Sequence, residues 1–161
     1  ASAVLTGADM LTMHAAGGAD MMAAGQRGAE TAAFERGGRV PATLAITVLT
    51  SMNAESLAAT GVSRSLPEQV ESLAAQAKGA GLSGVVCSPW EAESLRAILG
   101  PDAFIVTPGV RPAGAAKGDQ SRIATPAQAF GNGASHIVVG RPITQAPDPV
   151  AAFEAIAAEL A

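Results

Sequence analysis

Two Arg-Pro steps carry the strongest chemical signal in the sequence. One closes Pro108-Gly-Val-Arg-Pro112 and the other lies in Gly140-Arg-Pro142, each directly after a short apolar segment. The chain has only eight arginines and two lysines, so two guanidinium groups beside glycines at successive strand ends are a marked concentration. Arginine suits a phosphate because its planar fork donates two parallel hydrogen bonds, and a glycine lets backbone N–H groups approach the oxygens. Arg111, Gly140 and Arg141 are therefore the predicted anion binders. For either arginine alone, a surface ion pair is the competing reading.

Between the two steps, Pro112 to Arg122 is small, polar and aperiodic, which predicts a mobile loop that closes over a ligand. Gln120 is its best contact, since an amide can donate to phosphate and accept from a ring N–H; a solvated glutamine is the plainer alternative. Thr50 and Ser51 follow the apolar run Leu44–Leu49 and could bond a polar heterocycle, although capping the next turn is the commoner use of such hydroxyls. His14 could act as an acid or base, but reads better as a hydrogen-bonded core residue. Cys87 sits in a buried run and reads as inert packing, and Met21-Met22 as core. No His, Cys or carboxylate residues have metal-ligand spacing, so no metal is expected.

These groups need elements to hold them. Met10–His14, Leu44–Leu49, Gly84–Cys87, Phe104–Thr107 and His136–Val139 are short apolar runs without clean alternation, the pattern of strands covered on both faces in a parallel sheet. Helix-start signals stand between them. Ser65-Leu-Pro-Glu68 precedes Gln69–Lys78, Ser88-Pro-Trp-Glu91 precedes Ala92–Leu99, Thr125-Pro-Ala-Gln128 precedes Ala129–Phe130, and Asp148-Pro149 starts a helix through Leu160. Alternating strands and helices predict an α/β fold of right-handed βαβ units, with residues 1–161 as a single domain. No Gly-x-Gly-x-x-Gly turn follows any strand, which disfavours an open dinucleotide-binding sheet and favours a TIM (β/α)8 barrel. A complete barrel takes about 200 residues or more, so five strands in 161 residues read as the later part of one.

Composition limits the partners. A net charge of −4 without a basic cluster argues against nucleic acid and anionic membrane. No apolar run approaches the roughly 20 residues of a bilayer crossing, and the first residues lack the basic stretch of a signal peptide, so a cytoplasmic location is expected.

Six motifs, in order, resemble the bacterial orotidine 5′-phosphate decarboxylases: Leu11-Thr-Met-His-Ala-Ala-Gly-Gly18, Leu44-Ala-Ile-Thr-Val-Leu-Thr-Ser-Met52, Gly84-Val-Val-Cys-Ser88, Val106-Thr-Pro-Gly-Val-Arg-Pro112, Gly118-Asp-Gln120 and Val138-Val-Gly-Arg-Pro-Ile-Thr-Gln145. The resemblance implies an α/β barrel that converts orotidine monophosphate to UMP and CO2, the last step of de novo pyrimidine synthesis, without metal or organic cofactor, as a homodimer. By resemblance, Gly140 and Arg141 match phosphate binders after the eighth strand, Arg111 the arginine after the seventh and Gln120 the lid glutamine. Thr50 matches a hydroxyl residue near the nucleotide, with Ser51 added beside it.

The family's Asp-x-Lys-x-x-Asp motif, and an earlier Asp and Lys, are not in this sequence. Lys78 lies in a predicted helix and Lys117 in the lid segment, with only Asp119 near it and the spacing unmet. The resemblance thus implies a chain covering about strands four to eight, carrying no catalytic residue, and inactive by itself, since nothing remains to protonate the C6 carbanion. A noncatalytic nucleotide- or phosphate-binding fragment, or another sugar-phosphate barrel such as a hexulose-phosphate synthase, are the alternatives.

Overall fold

The computed structural model describes residues 2–112 and 123–160. Its strands are β1 (Met10–His14), β2 (Ala42–Ile46), β3 (Gly84–Val86), β4 (Phe104–Thr107) and β5 (His136–Ile137), all parallel and hydrogen-bonded in sequence order. The helices are α1 (Ala19–Glu35), α2 (Ala54–Ala59), α3 (Leu66–Gly79), α4 (Ala92–Leu99), α5 (Pro126–Gly131), α6 (Arg141–Thr144) and α7 (Pro149–Ala158). A parallel ladder in sequence order puts the C-terminal end of every strand on one rim and every helix-to-strand return on the other.

The returns share one device. A glycine with positive φ ends the helix before each later strand: Gly37 ahead of β2, Gly81 ahead of β3, Gly100 ahead of β4 and Gly133 ahead of β5. The helix starts are fixed by side chains. Ser65 donates to Glu68 from its backbone N–H and its hydroxyl (3.0 and 2.6 Å), and Thr125 and Gln128 bond each other's backbone N–H groups (3.2 and 3.0 Å). Asp148 accepts from the N–H groups of Val150 and Ala151 at 3.0 Å each. The Ser88–Glu91 signal is used one turn early: Glu91 Oε2 accepts from the Ser88 N–H at 2.9 Å, and α4 follows at Ala92.

One face of the sheet is sealed. Ala45, Val85 and Ile105, aligned across β2, β3 and β4, are fully buried against Met22 of α1, Val70, Leu73, Ala74 and Ala77 of α3, and Leu95 of α4. On the opposite face one register row runs His14, Ile46, Val86, Val106, His136. Val106 in this row is buried, but both histidines at its ends are exposed. The expectation of strands covered on both faces therefore holds at Val106 and fails at His14 and His136, where the described residues leave this face of the sheet uncovered.

Several boundaries differ from expectation. The ladder of β2 begins at Ala42 and ends at Ile46, three residues short of Leu49, which is 47% exposed. Cys87 leaves β3, and Val138 and Val139 leave β5. No local signal marks α1, whose buried positions are Met22 and the alanines 29, 32 and 33, too small to produce an apolar stripe. The core reading of Met21-Met22 is half right: Met22 is fully buried and Met21 is 38% exposed. Among the described residues no helix is long and apolar enough to cross a membrane.

Candidate functional site

The parallel order brings most of the predicted residues to one rim. Thr50 and Ser51 follow β2, Cys87 and Ser88 follow β3, Pro108 to Arg111 follow β4, and Gly140 and Arg141 follow β5. Because β4 and β5 are directly paired, through Val106 with His136 and Thr107 with Ile137, the two arginines stand on adjacent strand ends. Gln120 and Lys117 lie outside the described residues, as does all of the expected lid from position 113 to 122.

Thr50 is 8% exposed and helps to line a cavity of about 60 Å³ with Ile46, Val48, Val86, Cys87 and Pro108, so it faces inward at the mouth, whereas Ser51 is exposed. The helix that follows, α2, is capped by Asn53, its side chain accepting from Ser56 N–H at 2.8 Å while Ser56 Oγ accepts from Asn53 N–H at 2.9 Å. His14 is a correction. It is exposed rather than core, on the wall of an apolar hollow of about 230 Å³ that also includes Val48, Met52, Leu57, Val62 and Leu73. Cys87 is 1% exposed, in keeping with packing.

Arg111 is held by its backbone as well as its side chain. Gly109, at φ +79, turns the chain after Pro108, and the Arg111 N–H then donates to the Ala124 carbonyl at 2.9 Å beside a parallel bridge between Val110 and Ala124. The residue as a whole is 8% exposed, and Nη1 donates to the Val110 carbonyl at 2.9 Å. Among the described residues the sole ion pair is Arg39 with Asp9, so no described carboxylate pairs with Arg111. Arg111 is thus buried rather than at the surface, and Asp119 lies outside the described residues. A buried guanidinium is costly unless an anion compensates it, and the rim position makes a ligand anion a natural source.

Arg141 is exposed at the first position of α6, and Gly140 directly before it has φ −100. A Cβ built on Gly140 would meet nothing within 4 Å. What it provides is clear space on the rim beside Arg141. Lys78 is elsewhere, at the end of α3, where Nζ donates to the Ile98 carbonyl at 2.6 Å. Among the described residues no three His, Cys, Asp or Glu side chains are grouped to hold a metal.

Two rim residues were not singled out from the sequence. Glu91 is legible only as a helix-start signal, yet the residue is 8% exposed in the turn that follows β3. Trp90 beside it is 58% exposed, and its Nε1 donates to the Ile123 carbonyl at 3.0 Å. The signal available for both was the Ser88-Pro-Trp-Glu91 turn.

The model of the orotidine 5′-phosphate decarboxylase / HUMPS family matches residues 1–156. The orotidine 5′-phosphate decarboxylase of Anaeromyxobacter sp. (strain K) is 55% identical over 159 residues, 99% of this chain and 66% of that protein. The one from Moorella thermoacetica is 51% identical over 158 residues, 98% of this chain and 63% of that protein. The chain thus spans a little under two thirds of the length of these relatives. A crystal structure of orotidine 5′-phosphate decarboxylase from Lactobacillus acidophilus superposes with a TM-score of 0.78 at 43% identity, covering 93% of this chain and 62% of that one.

Proposed function

The chain belongs to the orotidine 5′-phosphate decarboxylase / HUMPS family, and on that premise we propose that it forms the phosphate-gripping portion of an enzyme that decarboxylates orotidine 5′-phosphate to UMP. The observation that carries this reading is Arg111, a buried guanidinium on the rim with no described carboxylate partner, on the strand end next to that of Arg141. Arg111, Gly140 and Arg141, with Gln120 from the segment between them, take the 5′-phosphate. Thr50, with Ser51 less directly, meets the nucleoside from the wall of the cavity beside Cys87 and Pro108.

In this reading β1 to β5 are the fourth to eighth strands of an eight-stranded barrel. The single parallel sheet in sequence order supports it, and five strands of eight is close to the 62–66% of its relatives that the chain spans. The lysine that protonates C6, and the carboxylates beside the leaving CO2, then lie on strands outside these 161 residues. Lys78 supports that assignment, since it is spent on a carbonyl at the far end of α3. The working protein is a cytoplasmic homodimer that uses no metal or organic cofactor, as the family resemblance implies.

Calorimetry with UMP tests the phosphate site. Arg111→Ala and Arg141→Ala should each weaken binding by about 1.5–3 kcal/mol, the range of charge-assisted hydrogen bonds, and unchanged binding in both removes the assignment. A decarboxylation assay on the 161-residue chain tests the rest: no turnover is expected, and substantial turnover would place the catalytic lysine within it.

A further inference from the structure

The molecule has one tryptophan, and its position is costly. Trp90 is 58% exposed although both of its neighbours are buried, Pro89 completely and Glu91 to 8%. The turn that carries it is tightly fixed. Glu91 N–H donates to the Ser88 carbonyl (3.0 Å), Ser88 N–H to Glu91 Oε2 (2.9 Å), Trp90 N–H to Ser88 Oγ (3.3 Å), and Asn132 Nδ2 to the Pro89 carbonyl (3.0 Å). An indole held on a rigid mount presents its N–H in a fixed direction, where it can serve a specific contact.

That contact is the Nε1 donation to the Ile123 carbonyl, 33 positions along the chain. Ile123 adjoins Ala124, and Ala124 is the residue that bridges Val110 and accepts from the Arg111 N–H. Val110 in turn supplies the carbonyl that receives Arg111 Nη1. The backbone and the guanidinium of Arg111 thus refer to one isolated bridge outside the main sheet. An isolated bridge is a weak mount for a side chain with several rotatable bonds. The indole ties its far strand to the fixed turn after β3.

We infer that Trp90 is a positioning residue for Arg111, anchoring the Val110–Ala124 bridge through Ile123 so that the guanidinium is preset for the phosphate of a nucleotide. The inference rests on the phosphate reading of Arg111. It makes no use of Trp90 as a ligand contact. Preorganisation of this kind acts on affinity through the residue it holds, so its signature is coupling.

The test is calorimetry with UMP on the full chain, comparing Trp90→Phe, which keeps a ring and removes the N–H donor, with Arg111→Ala, Arg141→Ala and the pairwise combinations. Trp90→Phe should weaken UMP binding about 3–10-fold. Combined with Arg111→Ala it should add almost nothing, whereas combined with Arg141→Ala it should keep its full effect. A general loss of packing would multiply with both. Wild-type affinity in Trp90→Phe, or an effect that multiplies with Arg111→Ala, overturns the inference while leaving the phosphate site standing. Unchanged binding in Arg141→Ala and Arg111→Ala, or no UMP binding by the wild type, overturns the phosphate reading and the inference with it. Should Trp90→Phe fail to fold, Trp90→Tyr gives the same comparison: an effect on UMP affinity that persists in full beside Arg111→Ala overturns the inference.

Discussion

The guanidinium of Arg96 donates to the Gly133 carbonyl from both Nε (3.2 Å) and Nη2 (2.9 Å). Its Nη1 also meets the carbonyls of Gly100, Pro101 and Ala103 at 2.7–3.0 Å. One half-buried side chain in the last turn of α4 therefore fixes the chain just before β4 and just before β5, the two strands whose opposite ends carry Arg111 and Arg141. Its charge also lies favourably beside the carbonyl end of its own helix.

Arg96→Lys keeps the charge and loses the fork, leaving several carbonyls without this donor. The expected cost is about 2–4 kcal/mol, because hydrogen bonds from charged groups contribute about 1.5–3 kcal/mol and the freed acceptors are partly buried. Urea unfolding should show the midpoint falling with the slope unchanged. A midpoint within error of wild type would mean that water replaces the fork at no cost.

Gly84 pairs with Phe104, and a Cβ there would lie 1.9 Å from the Phe104 carbonyl oxygen. Both partners are strand backbone, so the only relief is to separate β3 from β4. Gly84→Ala should destabilise by about 3 kcal/mol or more, lowering Tm by roughly 6–12 °C in a chain of this size. Differential scanning calorimetry reads this directly.

Gly140→Ala is expected to behave differently. The added methyl meets no protein atom within 4 Å, so Tm should fall by less than it does in Gly84→Ala. If phosphate oxygens approach the backbone at Gly140, UMP affinity should fall by about tenfold or more. Retained affinity would show that no ligand comes close to this glycine.

The Ser65 hydroxyl and backbone N–H, which both donate to Glu68, hold its carboxyl below the usual carboxylate range. A carboxylate with a lowered folded pKa stabilises the protein above its unfolded pKa, and that contribution disappears as pH falls through the folded value. Ser65→Ala removes the larger of the two causes. Thermal melts should separate wild type from variant at pH 7, and the gap should shrink as pH falls through the acid range; a gap that is constant with pH would rule out the carboxylate as its source.

How legible the molecule was from its sequence depended on where the signal was local. The Ser65, Thr125 and Asp148 caps were readable because each is a bond between residues two or three apart. Met10–His14, Phe104–Thr107 and Ala92–Leu99 match the structure residue for residue. The end of β2 was not readable, because Thr47 still bonds Val86 through its N–H and hydroxyl while leaving the ladder, and Val48 stays buried as if in a strand. The exposure of His14 was not readable, because it depends on which elements cover that face of the sheet and not on its neighbours in sequence. Arg111 and Arg141 could be placed on neighbouring strand ends from sequence spacing alone. The burial of Arg111 could not, since it depends on Ala124 returning past the stretch between them.

The positive-φ glycines put every helix-to-strand return on the rim opposite Thr50, Arg111 and Arg141. That side is free for attachment chemistry. A cysteine introduced at exposed Asp102, in the return between α4 and β4, would give a thiol tether whose point of fixation faces away from the arginines. Cys87, at 1% exposure, would not compete for the coupling reagent. A sensor surface loaded in this way would hold all its molecules in one orientation, with the arginine-bearing rim turned toward the flowing solution.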